Sequence, residues 1–243
     1  RPPSVKFRQL PVFFMPPLAD IFRARVVGAG AKTVVLGHGL GTDQSCWSQQ
    51  VAALEHAGYR VVTFDFAVAT AHTADVFVNG RYRSLEDFAG DLVALLQALD
   101  IHNATYVGHS MGGKVAMAVA LVHPGFVERL IVVDTAPRSY LGDGFNSEVL
   151  EMLRAIRPET LENRMELDGL MRPYIEDPVM RGFMLKSLLP REGGGYRWRF
   201  AADVILEGAA DIADWPEVLP RGSGDDNSLR YAGPVLVILG ELS

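Results

Sequence analysis

The sequence predicts an α/β fold, a mostly parallel sheet with helices on both faces, on three observations. From about residue 20, short apolar runs alternate with stretches of helical period, the pattern of a sheet buried on both sides. Two of the apolar runs lead directly into glycine-rich turns. A chain of 243 residues, 49% hydrophobic, also suffices for one full core.

In chain order, Ile21–Val27 opens the sheet and Thr33–His38 reads as a buried strand. A helix over about 47–56 carries Trp47, Val51 and Leu54 on one face, with Gly58 as its stop. Tyr59–Asp65 is the next strand. Ser84 caps a helix whose face is Leu85, Phe88, Leu92, Leu96 and Leu99. Strand Ala104–Gly108, a small-residue helix from Ser110 to about Val122, and strand Leu130–Asp134 follow. The rhythm then breaks until Val235–Leu239, with helix-like pieces near 147–156, 160–172, 177–188 and 200–212. The expected organisation is an N-terminal extension over 1–19 and a core over 20–134. A helical lid over 135–232 precedes a resumed core strand over 233–243.

A net charge of −6 supplies no basic footprint for nucleic acid, and a small, largely apolar substrate suits it better than a polyanion. Residues 1–32 hold six Lys/Arg against the single acid Asp20; a processed targeting segment and a trimmed chain explain this equally. The run Leu10–Leu18 is short and broken by prolines, so no transmembrane segment is expected. The compartment, organellar or cytoplasmic, stays open. Cys46, the lone cysteine, excludes an internal disulfide and reads as a small packed thiol.

Gly108-His-Ser-Met-Gly112 places Ser110 between an apolar strand and a small-residue helix. A serine there sits on a strained turn with its hydroxyl exposed, and flanking glycines let the backbone crowd in. Gly37-His-Gly-Leu-Gly41 also follows a strand. Such a loop can aim the Leu40 N–H at a developing oxyanion, with the Met111 N–H as second donor. Gly39, His38 and His109 would line the same site.

These motifs resemble the α/β-hydrolase superfamily over residues 20–243, which implies the α/β-hydrolase fold with its helical lid after the sixth core strand, in the superfamily's count. Arg25–Gly30, His38–Ser45, Tyr59–Asp65, Arg83–Asp87 and Ala136-Pro-Arg138 resemble the RsbQ regulators and the strigolactone and karrikin receptors. Val107–Lys114, Val127–Asp134 and Gly195–Phe200 are similar to YbfF-type esterases and their mitochondrial relatives, and the paired glycines Gly112-Gly113 lean the same way. The superfamily places its triad acid after the seventh strand, where Ser243 stands here. The esterase branch resembles this chain in that serine, which implies Asp134 as the acid, with Glu241 in reserve.

A serine nucleophile needs a base oriented by such an acid. His38 reads as structural and His109 as pointing sideways, while His56, His102 and His123 sit at helix ends or turns. His72 lies in a loop that could overhang the site. The superfamily places its base after an eighth core strand, so the resemblance implies a histidine beyond residue 243, with one more strand, a Gly-His pair and a closing helix. No histidine pair has metal-ligand spacing, so neither metal nor organic cofactor is implied. Five of eight methionines, Met152, Met165, Met171, Met180 and Met184, fall in the insertion, either lining an apolar acyl pocket or filling a helical core. Tyr196, Trp198 and Phe200 alternate with Arg197 and Arg199 as a short strand with an aromatic face.

The reading is hydrolysis of a small-molecule carboxylic ester through an acyl-enzyme. Two alternatives stay open: a ligand-sensing receptor, which alone would need a protein partner, and a cofactor-free haloperoxidase or C–C hydrolase.

Overall fold

A computed structural model describes residues 18–66, 84–141, 147–216 and 230–240. Its strands are β1 (Arg25–Val27), β2 (Thr33–Gly37), β3 (Arg60–Thr63), β4 (Ala104–His109), β5 (Val127–Val133), β6 (Leu188–Pro190), β7 (Tyr196–Trp198) and β8 (Val235–Ile238). The main sheet runs β1-β3-β2-β4-β5-β8. Only the β1–β3 pairing within it is antiparallel.

Side chains on β2 show the two-residue period of a sheet covered on both faces. Val34 and Leu36 pack with Trp47 and Val61, under Val51 and Leu54 of α2 (Ser48–His56). Val35 and Val62 belong to the larger core on the other face. There they join Phe88 and Leu92 of α3 (Leu85–Ala98) and Val115 and Val119 of α4 (Met111–Val122). Helix α3 starts as its sequence predicts. The Ser84 N–H donates to the Asp87 carboxylate at 3.0 Å, and the Asp87 N–H returns a bond to the Ser84 hydroxyl at 3.2 Å, a capping box.

The opening strand is shorter than expected. Leu18–Ile21 is a helical turn, α1, and pairing begins only at Arg25. Ile21 and Phe22 are buried, so their apolar signal marks core contact rather than ladder pairing. Trp47 closes a 3-10 turn before α2. Cys46 is exposed, not packed, because that turn aims Trp47 inward and Cys46 outward. Partial burial nevertheless pushes its thiol up to about 11, which keeps it protonated.

Between β5 and β8 lie α5 (Ser147–Ala155), α6 (Arg164–Met171), α7 (Pro178–Lys186) and α8 (Ala202–Ala213). The β6–β7 hairpin, Leu188 opposite Trp198, stands apart from the main sheet. Strand β6 escaped the sequence reading, since three residues carry too little period. Trp198 and Phe200 stack at 5.4 Å. Met152, Met171 and Met184 are buried in the large core, whereas Met165 and Met180 are exposed. Three of the five are thus packing filler.

Lys114 of α4 also went unread. It is 2% exposed, and its Nζ donates to the Ala213 carbonyl and, at 2.9 Å, to that of Asp214. Burial pushes its pKa down to about 8 against the opposing pull of Asp214. The ammonium caps the C-terminal end of α8 and ties the insertion to the helix that follows Ser110.

Candidate active site

Parallel pairing places the candidate residues on one sheet edge. Gly37 lies opposite Gly108, and His109 opposite Val133. Residues 38–41, 109–111 and 134 therefore leave neighbouring strands side by side, at the carboxyl ends where open parallel sheets hold ligands.

Ser110 has φ +51° and ψ −119°, a conformation that costs a non-glycine residue on the order of 1–3 kcal/mol. Its N–H donates to the Val133 carbonyl at 2.9 Å, and its own carbonyl accepts from Gly113 and Lys114 at 2.9 and 3.1 Å. The strained turn is thus clamped from β5 and from α4. Met111 opens α4, so its N–H has no acceptor within the helix.

Two glycines make the approach possible. A Cβ on Gly112 would lie 2.5 Å from the Gly37 carbonyl oxygen and 2.6 Å from that of His38. One on Gly39 would lie 3.4 Å from the Ser110 Cβ and 2.9 Å from the His109 Nδ1. Gly112 admits only a bare backbone, a Cβ at Gly39 would press on the His109 ring, and Gly39, Ser110 and His109 lie together.

The Gly39 carbonyl accepts three hydrogen bonds: from His38 Nδ1 at 2.8 Å, the Thr42 hydroxyl at 3.1 Å and the Thr42 N–H at 3.4 Å. That carbonyl shares one planar peptide unit with the Leu40 N–H. Holding the oxygen therefore sets the direction of the N–H.

His38 Nε2 accepts from the Phe66 N–H at 2.9 Å. With both ring nitrogens committed, His38 is a neutral structural histidine. Burial lowers its pKa, opposed by the Gly39 carbonyl and the charges of Asp65 and Asp43. Phe66 packs edge-on to both His38 and Phe88, which links the loop to α3. His109 is half-buried, and its pKa is lowered by burial while Asp134 pulls it upward.

Asp134 follows β5 directly, exposed, with φ +56°. Its N–H donates to Ile238 at 2.8 Å, and its carboxylate accepts from the Gly240 N–H at 3.4 Å. His56 precedes β3, His102 precedes β4 and His123 precedes β5, so all three stand at the opposite edge. His72 and Glu241 lie outside the described residues.

Three residues beside the loop escaped the sequence reading. Asp43 is buried and accepts from the Arg199 guanidinium at 2.7 Å and the Ser45 N–H at 2.9 Å. The Ser187 hydroxyl donates to the Gly41 carbonyl at 3.1 Å. Only the Asp43-to-Ser45 capping spacing was visible locally, because Arg199 is 156 residues away. A cavity of about 390 Å³ is lined by Thr42, Asp43, Cys46, Phe183, Lys186 and Arg199 among others. Its lining includes none of Leu40, Ser110 and Met111, so it is separate from the candidate site.

Burial pushes the Asp43 carboxyl up, but the Ser45 hydroxyl, the Ser45 N–H and the Arg199 charge outweigh it and hold the pKa below its ordinary 3.8. A depressed carboxylate contributes stability that is fully present above the unfolded value and lost as pH falls through the folded one. Asp43→Asn should therefore flatten the acid limb of the stability curve. Urea midpoints taken from about pH 6 to about pH 2 check this, and parallel acid limbs for variant and wild type would contradict it.

Among the described residues no cluster of three His, Cys, Asp or Glu could hold a metal ion. No described helix is long and apolar enough to cross a membrane.

Comparison with known proteins agrees with this architecture. The chain is 39% identical over 140 residues to the Karrikin insensitive 2 receptor IA of Petunia hybrida, covering 56% of this chain and 51% of that protein. It thus spans about half the length of the receptor relatives it matches. It is 30% identical over 226 residues to the sn-1-specific diacylglycerol lipase ABHD11 of Xenopus laevis, covering 91% of this chain and 67% of the lipase. Among solved structures, a marine microorganism esterase superposes with a TM-score of 0.75 at 25% identity, over 90% of this chain and 80% of that one. The alpha/beta hydrolase fold profile matches residues 32–243, and with β2, β4 and β5 delivering loop, serine turn and acid to one edge, the chain belongs to the α/β-hydrolase family.

Proposed function

We propose that the protein is a serine hydrolase that cleaves the carboxylic ester of a small, largely apolar molecule through an acyl-enzyme. The observation that carries this reading is Ser110, held at φ +51° at the start of α4 with Gly39 against it. In the reaction the Ser110 hydroxyl attacks the ester carbonyl and passes its proton to a histidine. The Leu40 and Met111 N–H groups receive the charge that gathers on the carbonyl oxygen. The same histidine protonates the leaving alcohol and then activates water, which releases the acid and restores the serine. Asp134 orients that histidine, which is not among the described residues. The helical insertion after β5 serves as a lid.

Full-length protein should release p-nitrophenol from short p-nitrophenyl esters with a burst followed by steady turnover. Asp134→Asn should reduce kcat by on the order of 10⁴, since the amide group holds the imidazole in the wrong tautomer. Full activity in Asp134→Asn would transfer the role to another acid, Glu241 first.

The similarity to karrikin receptors over 140 residues favours one second reading, a ligand sensor that uses the same serine. A single covalent event with no further turnover, accompanied by a change of shape, would select it.

A further inference from the structure

We propose that Ser187, at the junction of α7 and β6, is a positioning residue for the oxyanion donor and acts on it through two successive peptide units. The inference rests on the ester-hydrolase reading of Ser110 and Leu40.

The Ser187 hydroxyl donates to the Gly41 carbonyl. This carbonyl belongs to the peptide unit whose other end is the Thr42 N–H. The Thr42 N–H donates to the Gly39 carbonyl, whose peptide unit ends in the Leu40 N–H. Because each unit is planar, the hydroxyl sets the tilt of the first, and the first helps set the tilt of the second. Bonds in such a chain also polarise one another, which makes the last N–H a better donor.

The hydroxyl is itself well placed. Ser187 is 5% exposed, its N–H donates to Met184 at 3.0 Å, and its carbonyl accepts from the Arg199 N–H at 2.7 Å. The Arg199 guanidinium then grips Asp43, one residue beyond Thr42, and the Lys186 carbonyl at 3.3 Å. Phe200 packs 3.8 Å from where a Gly41 Cβ would be. The turn 41–43 is thus held by the insertion, while 38–40 is held by the core through His38. A shift of the insertion at Ser187 therefore reaches the oxyanion donor through the turn at 41–43.

The test compares full-length wild type with Ser187→Ala, Ser187→Thr and Asp177→Ala on p-nitrophenyl acetate. Asp177 caps the start of α7 through the Val179 N–H at 2.9 Å and has no contact with the turn at 41–43, so its loss reports general loosening of the insertion. Ser187→Ala should lower kcat about tenfold with KM within about twofold, a fraction of the 10²–10³ that deleting an oxyanion donor costs. Ser187→Thr, which keeps the hydroxyl, should recover most of that loss, and Asp177→Ala should lower the melting temperature with kcat unchanged. An unchanged kcat in Ser187→Ala beside an active wild type overturns the relay and leaves the hydrolase reading intact. So does a kcat that falls equally in Asp177→Ala. A wild type that neither turns over the ester nor reacts with a fluorophosphonate at Ser110 overturns the hydrolase reading itself, and the relay falls with it.

Discussion

Ser110→Ala should abolish fluorophosphonate labelling of the full-length protein and lower ester turnover by several orders of magnitude. The expectation follows from position as much as from residue type. Ser110 is held at positive φ by the Val133 carbonyl behind it and by the Gly113 and Lys114 N–H groups of α4 ahead of it. Its Cβ thereby stands 3.4 Å from where a Cβ on Gly39 would be. Without that oxygen no acyl-enzyme forms. What survives is the catalysis that oxyanion donors and binding supply alone, roughly 10³–10⁴ over water. Alanine keeps the same Cβ and therefore the same backbone strain at half-buried Ser110, so the melting temperature should change little. Equal labelling of Ser110→Ala and wild type would remove Ser110 from the mechanism and leave the fold assignment standing.

Gly112→Ala should damage both stability and turnover although it adds a single methyl group. The added carbon would meet the carbonyl oxygens of Gly37 and His38, which belong to backbone and cannot rotate away. Either α4 moves off the sheet or the loop at 37–41 is pushed outward, and both separate the Leu40 N–H from Ser110. Overpacking of this kind costs about 1–3 kcal/mol, and a lost oxyanion donor lowers kcat by about 10²–10³. Both losses should appear together in thermal melts and in turnover. Gly182→Ala in α7 is the comparison, since a Cβ there meets nothing within 4 Å. Helical propensity should make it neutral or stabilising by up to about 1 kcal/mol. If Gly112→Ala melts and turns over like Gly182→Ala, the close approach does not control the site.

Much of this architecture was legible because its signals are local. The strand at 33–37 is written as a short apolar run and the helix at 85–98 in a period of 3.6, and Ser84 with Asp87 announces its own cap. The serine turn was legible for a related reason: Gly108, Ser110 and Gly112 are close in sequence because a sharp strand-to-helix turn spans few residues. The misreadings are equally instructive. Ile21 and Cys46 were judged on hydrophobicity, yet a residue in a short turn is turned inward or outward by the turn, not by its own preference.

The sequence by itself determined the alternation of central strands and helices from 33 to 134, the serine turn with its flanking glycines, and the loop that carries Leu40. Each is encoded within a few consecutive residues, where backbone sterics and hydrophobic period act. Only the tertiary structure decided that His38 is locked by Phe66, that Lys114 caps α8, and that Ser187 and Arg199 hold the turn beyond Leu40. Those contacts join segments from 28 to 156 residues apart, across strands whose pairing must form first. No local periodicity foretells them, because a buried donor finds its acceptor only after the sheet has set the distance between them.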